Sequence, residues 1–266
     1  MFMMRKKIKN KILLIVFLNL FVLSSEVFAN NENHNIKNFI NLIKNNDCKG
    51  LSKIIRYPLD RKYPINSIKN ENDFLKNCNI IFDDKLKQRI IKSDPNNKDD
   101  WEAIGWRGIM FNSGEIWFDY DGYLYVVNYE SDAEKKIMEK LLLKDKENLY
   151  YTLRSYQTLI GIYETKKYLF RLDKTENDNV RYSSWKKNSK MSTKPDFVVN
   201  NCDLEYSGSG GNHSYTCKNG KYYYVIYMNN IRTKETPQVE LKVLYKDDNF
   251  VELIPIYADG AKLVDY

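Results

Sequence analysis

Glu115, Trp117 and Asp119 alternate along one short stretch, so a strand there would stand all three side chains on one face. Two carboxylates beside an indole can be held in different protonation states, one as an acid and the other as a base. On this spacing Glu115 and Asp119 are candidate catalytic groups, and Trp106, Trp117 and Glu115 are candidate ligand contacts. The plainer alternative is a solvent-facing strand, with a tryptophan at the rim of a cavity and Asp119 and Asp121 serving a turn. His213 is the third candidate, a general base beside Tyr215 and Cys217. A lone histidine next to a turn is more commonly a hydrogen-bonded structural residue.

Other chemistries lack the residues they need. The glycines in Gly208-Ser209-Gly210-Gly211 lack the lysine and following helix of a phosphate cradle, and strands are expected on both sides, at Leu204–Tyr206 and Ser214–Cys217. That context favours a wide hairpin. No Gly-x-Ser-x-Gly elbow is present. Asp83-Asp84 and Asp99-Asp100 lack the alternating oxygen ligands of a calcium loop. With two histidines and no Cys-x-x-Cys pair, neither a metal nor a cofactor is expected.

Cys48, Cys78, Cys202 and Cys217 are an even set whose reading depends on compartment. The start of the chain supplies the compartment. Arg5, Lys6, Lys7, Lys9 and Lys11 precede an apolar run from Ile12 to Leu23, and Val27-Phe28-Ala29 follows before a polar stretch. This is the pattern of a secretory signal over residues 1–29, and the run is too short for a comfortable membrane span. A periplasmic or secreted protein follows, and with it disulfides. Of three pairings, Cys48–Cys78 with Cys202–Cys217 keeps each bridge within one half of the chain. A lipid anchor is not expected, because no cysteine lies near Ala29.

The chain holds 42 basic and 35 acidic residues; the first 29 carry five and one of these, leaving 37 against 34, a net +3. The charges are interspersed, without the basic stripe that nucleic-acid binding needs.

The elements that must position the candidates change character along the chain. Ile36, Phe39, Ile40 and Ile43 make one apolar stripe of a helix over 34–46, and further helices are expected at Cys48–Arg56, Glu71–Phe82 and Asp84–Lys92. Tyr63–Ile68 reads as extended. Strands follow at Ile104–Phe111, Glu115–Asp119 and Tyr123–Tyr129, separated by Asn112-Ser113-Gly114 and Asp121-Gly122. Ser131-Asp132-Ala133-Glu134 is a capping box opening a helix to about Lys144. Beyond it, Tyr168, Phe170 and Leu172 alternate with Leu169, Arg171 and Asp173. Turn residues recur at Thr165-Lys166, Asn177-Asp178-Asn179, Asn219-Gly220 and Asp247-Asp248-Asn249. Tyr222-Tyr223-Tyr224 reads as strand, with one or two rings inward. The expected fold is α+β, with an α+β domain at 30–146 and an all-β sandwich or small barrel at 147–266.

The order Lys53-Ile54-Ile55-Arg56-Tyr57-Pro58-Leu59, Ile65–Ile68, Asp73-Phe74-Leu75, Ile80-Ile81-Phe82 with Lys85-Leu86, Trp106-Arg107-Gly108-Ile109-Met110 and Gly114-Glu115-Ile116-Trp117-Phe118 resembles exported bacterial domains of the nuclear transport factor 2-like (SnoaL-like) type. The resemblance covers roughly residues 34–130 and implies a curved sheet wrapped on helices, a cone with a pocket. Isomerases of that fold pair a pocket carboxylate with a hydrogen-bonding acid, and no such pair aligns here. The second half is similar to β-rich tails of periplasmic proteins, with Gly208-Ser209-Gly210-Gly211-Asn212-His213 its most distinctive stretch.

Together these readings give an exported, non-enzymatic binding protein with a protein partner or a small ligand. One concrete version is an immunity or inhibitor protein acting in the envelope. A hydrolase or lyase using Glu115 and Asp119, or His213, is the alternative, and a structural envelope component is a third.

Overall fold

The computed structural model describes residues 33–208, 210–248 and 252–266. The export signal expected at 1–29 lies outside them. The protein combines helices with antiparallel sheet in two compact units. Among the described residues the first comprises 33–61 with Ser67–Lys135, and the second comprises Lys62–Asn66 with Lys136–Tyr266. Among the described residues no helix is long and apolar enough to cross a membrane.

The first unit opens with helix α1 (33–44), whose Ile36, Phe39 and Ile43 are buried, as the apolar stripe requires. Helices α2 (Cys48–Lys53), α3 (Glu71–Ile81) and α4 (Asp84–Lys92) follow. Asp47, Asn70 and Asp83 cap them by accepting the free amides of Gly50, Asp73 and Leu86. Four short strands, β1 (Trp101–Ala103), β2 (Ile109–Phe111), β3 (Ile116–Phe118) and β4 (Leu124–Val127), form a meander in chain order. Phe39 packs edge-on against Phe82, Trp101 and Phe118 in a core shared by helices and sheet. Cys48–Cys78 ties α2 to α3.

The strand expected over Ile104–Phe111 is broken. Gly105 and Gly108 have φ of 48° and 96°, and a short 3₁₀ turn, Gly105–Arg107, separates β1 from β2. A Cβ on Gly108 would fall 2.1 Å from the Phe118 carbonyl, so only glycine permits this approach. Likewise Tyr63–Ile68 is turns and one isolated bridge, Leu59 to Ile68, and not a strand.

Helix α5 (Asp132–Glu147) starts with the expected capping box. The Glu134 amide donates to Ser131 Oγ (3.1 Å) and the Ser131 amide to Glu134 Oε2 (3.2 Å). The same carboxylate holds Arg61 through two bonds of 2.7 Å.

Eight strands then follow one another in a closed antiparallel barrel. They are β5 (Thr158–Glu164), β6 (Tyr168–Lys174), β7 (Val180–Lys186), β8 (Phe197–Ser207), β9 (Asn212–Asn219), β10 (Tyr222–Met228), β11 (Val239–Tyr245) and β12 (Ile254–Leu263). Of the two all-β forms the sequence allows, the barrel is the one found. Its long strands change partners part-way, as sheet corners require. β8 pairs with β7 up to Cys202 and with β9 from Asp203, and Asn201 (φ 59°) sits at that change. β12 pairs with β11 up to Ala261 and with β5 at Lys262 and Leu263. Cys202 and Cys217 bridge adjacent strands at the β8 corner. Both cystines are those favoured by keeping each bridge local.

The barrel's outer face at β5–β7 is covered rather than wet. Leu149, Leu153, Tyr156, Leu159, Ile162 and Trp185 form a second apolar layer there. Inside that layer lies a charge cluster. Arg171 is fully buried between Asp173 (Nε–Oδ2 2.6 Å) and Asp145 (Nη1–Oδ1 2.9 Å), and Arg181 completes it on Asp173 (2.9 Å). Tyr156 and Tyr266 donate their hydroxyls to Asp145 at 2.6 and 2.5 Å. Two arginines against two aspartates leave it neutral, the condition under which buried charge is tolerated.

Candidate ligand-binding site

The barrel is packed at one end and hollow at the other. In the packed part Tyr163 stacks on Phe170 (5.3 Å), with Leu172, Ile226 and Met228 alongside. Above them Tyr182 of β7 and Tyr224 of β10 stack across the barrel, centroids 5.3 Å apart and planes 26° apart. This pair floors a cavity of about 790 Å³ that opens at the end bearing the β5–β6, β7–β8, β9–β10 and β11–β12 connections. That volume is within the range of small-ligand pockets, and eight strands leave room for one such ligand.

Period-2 alternation delivers the walls. Tyr168 from β6, Tyr182 and Ser184 from β7, Phe197 from β8, Tyr222 and Tyr224 from β10, Tyr245 from β11 and Tyr257 from β12 all line the cavity. Tyr168 meets Tyr257 edge-on at 5.2 Å, and Tyr222 meets Tyr245 at 5.2 Å. Leu241, Val243 and Ile256 supply the aliphatic part. Burial pushes the Tyr182, Tyr224 and Tyr257 hydroxyls above the usual phenol range, so each is a neutral hydrogen-bonding group at physiological pH. Tyr257 donates to Thr165 Oγ1 (3.0 Å) and Asp259 (3.2 Å).

The residues singled out from sequence lie elsewhere. Glu115 precedes β3, with its Oε1 2.9 Å from Arg89 of α4. Asp119 follows β3, accepts both Nε (2.8 Å) and Nη2 of Arg56, and receives the Tyr123 amide at 2.9 Å. Because β3 spans only Ile116–Phe118, with Ile116 and Phe118 buried, the alternating face of Glu115, Trp117 and Asp119 is not formed as one strand. Each carboxylate is paired with its own arginine, Glu115 with Arg89 and Asp119 with Arg56. Trp106 is 73 % exposed in the 3₁₀ turn, whereas Trp117 is half-buried and donates Nε1–H to the Gly114 carbonyl (3.1 Å). Two cavities of this unit, about 370 and 330 Å³, are lined by other residues.

His213 lies in β9, its Nδ1 2.9 Å from the Gly211 carbonyl and its ring between Tyr206 and Tyr215. Cys217 is in a disulfide, so no cysteine–histidine nucleophile exists. Gly208 and Gly211 take positive φ in the β8–β9 hairpin, the structural role expected of that loop. Among the described residues no group of three or more histidine, cysteine, aspartate or glutamate side chains is placed to hold a metal.

The tyrosine cup escaped the sequence because its tyrosines come from five different strands, with no local spacing to announce it. The single signal was Tyr222-Tyr223-Tyr224. There Tyr224 turns inward (8 % exposed) while Tyr222 stands at the rim (43 %). No protein-family model matches the chain, and neither curated proteins nor solved structures match it.

Proposed function

We propose that this is an exported, non-enzymatic binding protein that holds a small molecule in the mouth of its barrel. The observation that carries the proposal is the hollow, tyrosine-floored end of an otherwise packed barrel. Filling that end with aliphatic side chains would stabilise the fold through burial of about 25 cal/mol per Å² of apolar surface, so a large hollow there calls for a use. Two disulfides fit an oxidising compartment. The separate arginine partners of Glu115 and Asp119 weigh against the hydrolase or lyase alternative. In the first unit, helices followed by an antiparallel meander are in keeping with the SnoaL-like architecture, here a companion to the barrel and not the ligand holder.

A protein partner in the envelope, as for an immunity or inhibitor protein, is the second reading. It is favoured by apolar side chains exposed around the cup, Phe197, Tyr222, Ile254 and Ile256. A native mass spectrum of the protein from its host's envelope separates the two. A bound mass of a few hundred daltons, lost on Tyr224→Leu substitution, supports the small-molecule reading. A stoichiometric second polypeptide with an empty cup supports the partner reading and overturns the first.

A further inference from the structure

Resting on the cup as the ligand site, we infer that its ligand is a small organic anion with a flat ring, an aromatic or heteroaromatic system bearing a carboxylate, sulfonate or phosphate. The cavity lining includes two lysines, Lys167 and Lys221, and no aspartate or glutamate. The Lys167 ammonium lies 5.5 Å over the Tyr257 ring, with no carboxylate among its described partners. Lys221 pairs at 2.5 Å with Asp248 on the rim, a contact that an incoming anion can share.

The charge bias extends to the whole mouth. The four connections at the open end, residues 165–167, 187–196, 220–221 and 246–253, contain seven lysines against four acidic residues. The three at the opposite end, residues 175–179, 208–211 and 229–238, contain two basic residues against three acidic ones. The barrel is therefore polarised along its axis, and a low-dielectric cup beneath a cationic rim draws anions inward. Three of these lysines have a carboxylate nearby, Lys166 with Asp259 (3.7 Å), Lys187 with Glu164 (3.8 Å) and Lys221 with Asp248, whereas Lys167, Lys190, Lys194 and Lys246 have none among the described ion pairs and carry the cationic bias of the rim.

Ring shape follows from the walls. Tyr182 and Tyr224 offer stacked faces at the floor, and Tyr168–Tyr257 and Tyr222–Tyr245 offer faces and edges above. A flat ring matches these surfaces by offset or edge-to-face packing, whereas a flexible alkyl chain gains nothing from their hydroxyls.

The test uses protein secreted from the full chain with both disulfides formed. Its probes are the anion 8-anilinonaphthalene-1-sulfonate and its neutral analogue N-phenyl-1-naphthylamine. The sulfonate should bind one to one and tighter than the neutral dye at low salt, the gap narrowing as salt rises. Lys167→Ala and Lys221→Ala should each weaken the sulfonate about two- to fivefold and spare the neutral dye. Tyr224→Leu should weaken both, with circular dichroism confirming that every variant is folded. A neutral dye that binds at least as tightly, lysine variants that weaken both dyes alike, or a saturated fatty acid that outcompetes the sulfonate would overturn the ring-anion inference and leave the cup standing. If neither dye responds to Tyr224→Leu, the cup itself is refuted as the site.

Discussion

Arg171→Met is the sharpest test of how the barrel is held. The substitution keeps a long apolar stem in the layer beside Tyr156, whose ring lies 4.5 Å from the Arg171 guanidinium, and removes the charge together with its hydrogen bonds to Asp173 and Asp145. What remains is Arg181 on Asp173, with Asp145 left without an arginine, one negative charge too many in a site where the Asp145 and Asp173 side chains are at most 1 % exposed. Breaking a buried pair in this way costs about 3–5 kcal/mol, because the stranded charge stays desolvated. Domains have only about 5–15 kcal/mol to lose. At a urea slope of about 2 kcal/mol/M, the midpoint should fall by about 1.5–2.5 M.

The second arm of the test removes the excess charge. Asp145→Asn added to Arg171→Met leaves Asp173 and Arg181 paired, and the amide oxygen still accepts from Tyr156 or Tyr266. The double variant should therefore be more stable than Arg171→Met alone, by about 1–3 kcal/mol of coupling. Amide exchange of peptides spanning 168–186, followed against urea, reads the loss in β6 and β7 directly. A midpoint shift below about 0.3 M for Arg171→Met, or a further loss when Asp145→Asn is added, would refute the claim that a balanced buried cluster fixes this face.

Three further outcomes are expected. Replacing Cys202 and Cys217 with alanine releases a crosslink spanning 15 residues and should cost about 3 kcal/mol in urea unfolding; the Cys48–Cys78 pair, 30 apart, should cost slightly more. Ser131→Ala removes a buried half of the α5 capping box and should cost about 1 kcal/mol, seen as a fall in Tm of about 3 °C. Alkaline titration at 295 nm should show a delayed class of phenols. Tyr129, raised to about 12 by burial and its bond to Asp83, keeps its proton in the native state while the unfolded chain loses it near 10, so stability present below pH 10 is lost as pH climbs toward 12. Tyr163 and Tyr182, raised further by burial, should ionise only on unfolding.

Local patterns carried far into the fold, and non-local pairing is where they ran out. The expected turns at Thr165-Lys166, Asn177-Asp178-Asn179, Asn219-Gly220 and Asp247-Asp248 all fall at strand junctions, because turn chemistry is local. The alternation of Tyr168, Phe170 and Leu172 against Arg171 and Asp173 is correct in β6. Yet alternation says which residues share a face and not what covers it, so Arg171 and Asp173 face a packed layer rather than water. Barrel closure depends on where β8 and β12 exchange partners, a sum of registers that no single stretch encodes. The shared face expected for Glu115, Trp117 and Asp119 is limited in the same way: β3 is three residues long, and Glu115 and Asp119 lie just outside it, each paired with an arginine from another element.

The partner exchange in β8 also explains how one barrel is packed below and open above. Below the exchange, β8 and β9 share a ladder from Asp203 to Ser207, and the interior there is closed by side chains. Above it, Phe197–Cys202 pair with β7 only, and Cys217–Asn219 with β10 only, among the described residues. Two ladders that no longer share bonds can diverge, and the Cys202–Cys217 cystine ties them where the shared ladder ends. Phe197, at the start of β8, and Tyr222, which opens β10 opposite the end of β9, are 45 % and 43 % exposed and flank the entrance to the cup. Openness is thus a property of strand register rather than of small side chains. Enlarging a wall residue would narrow the cup without closing its mouth, whereas releasing the cystine would loosen the mouth and leave the wall chemistry intact.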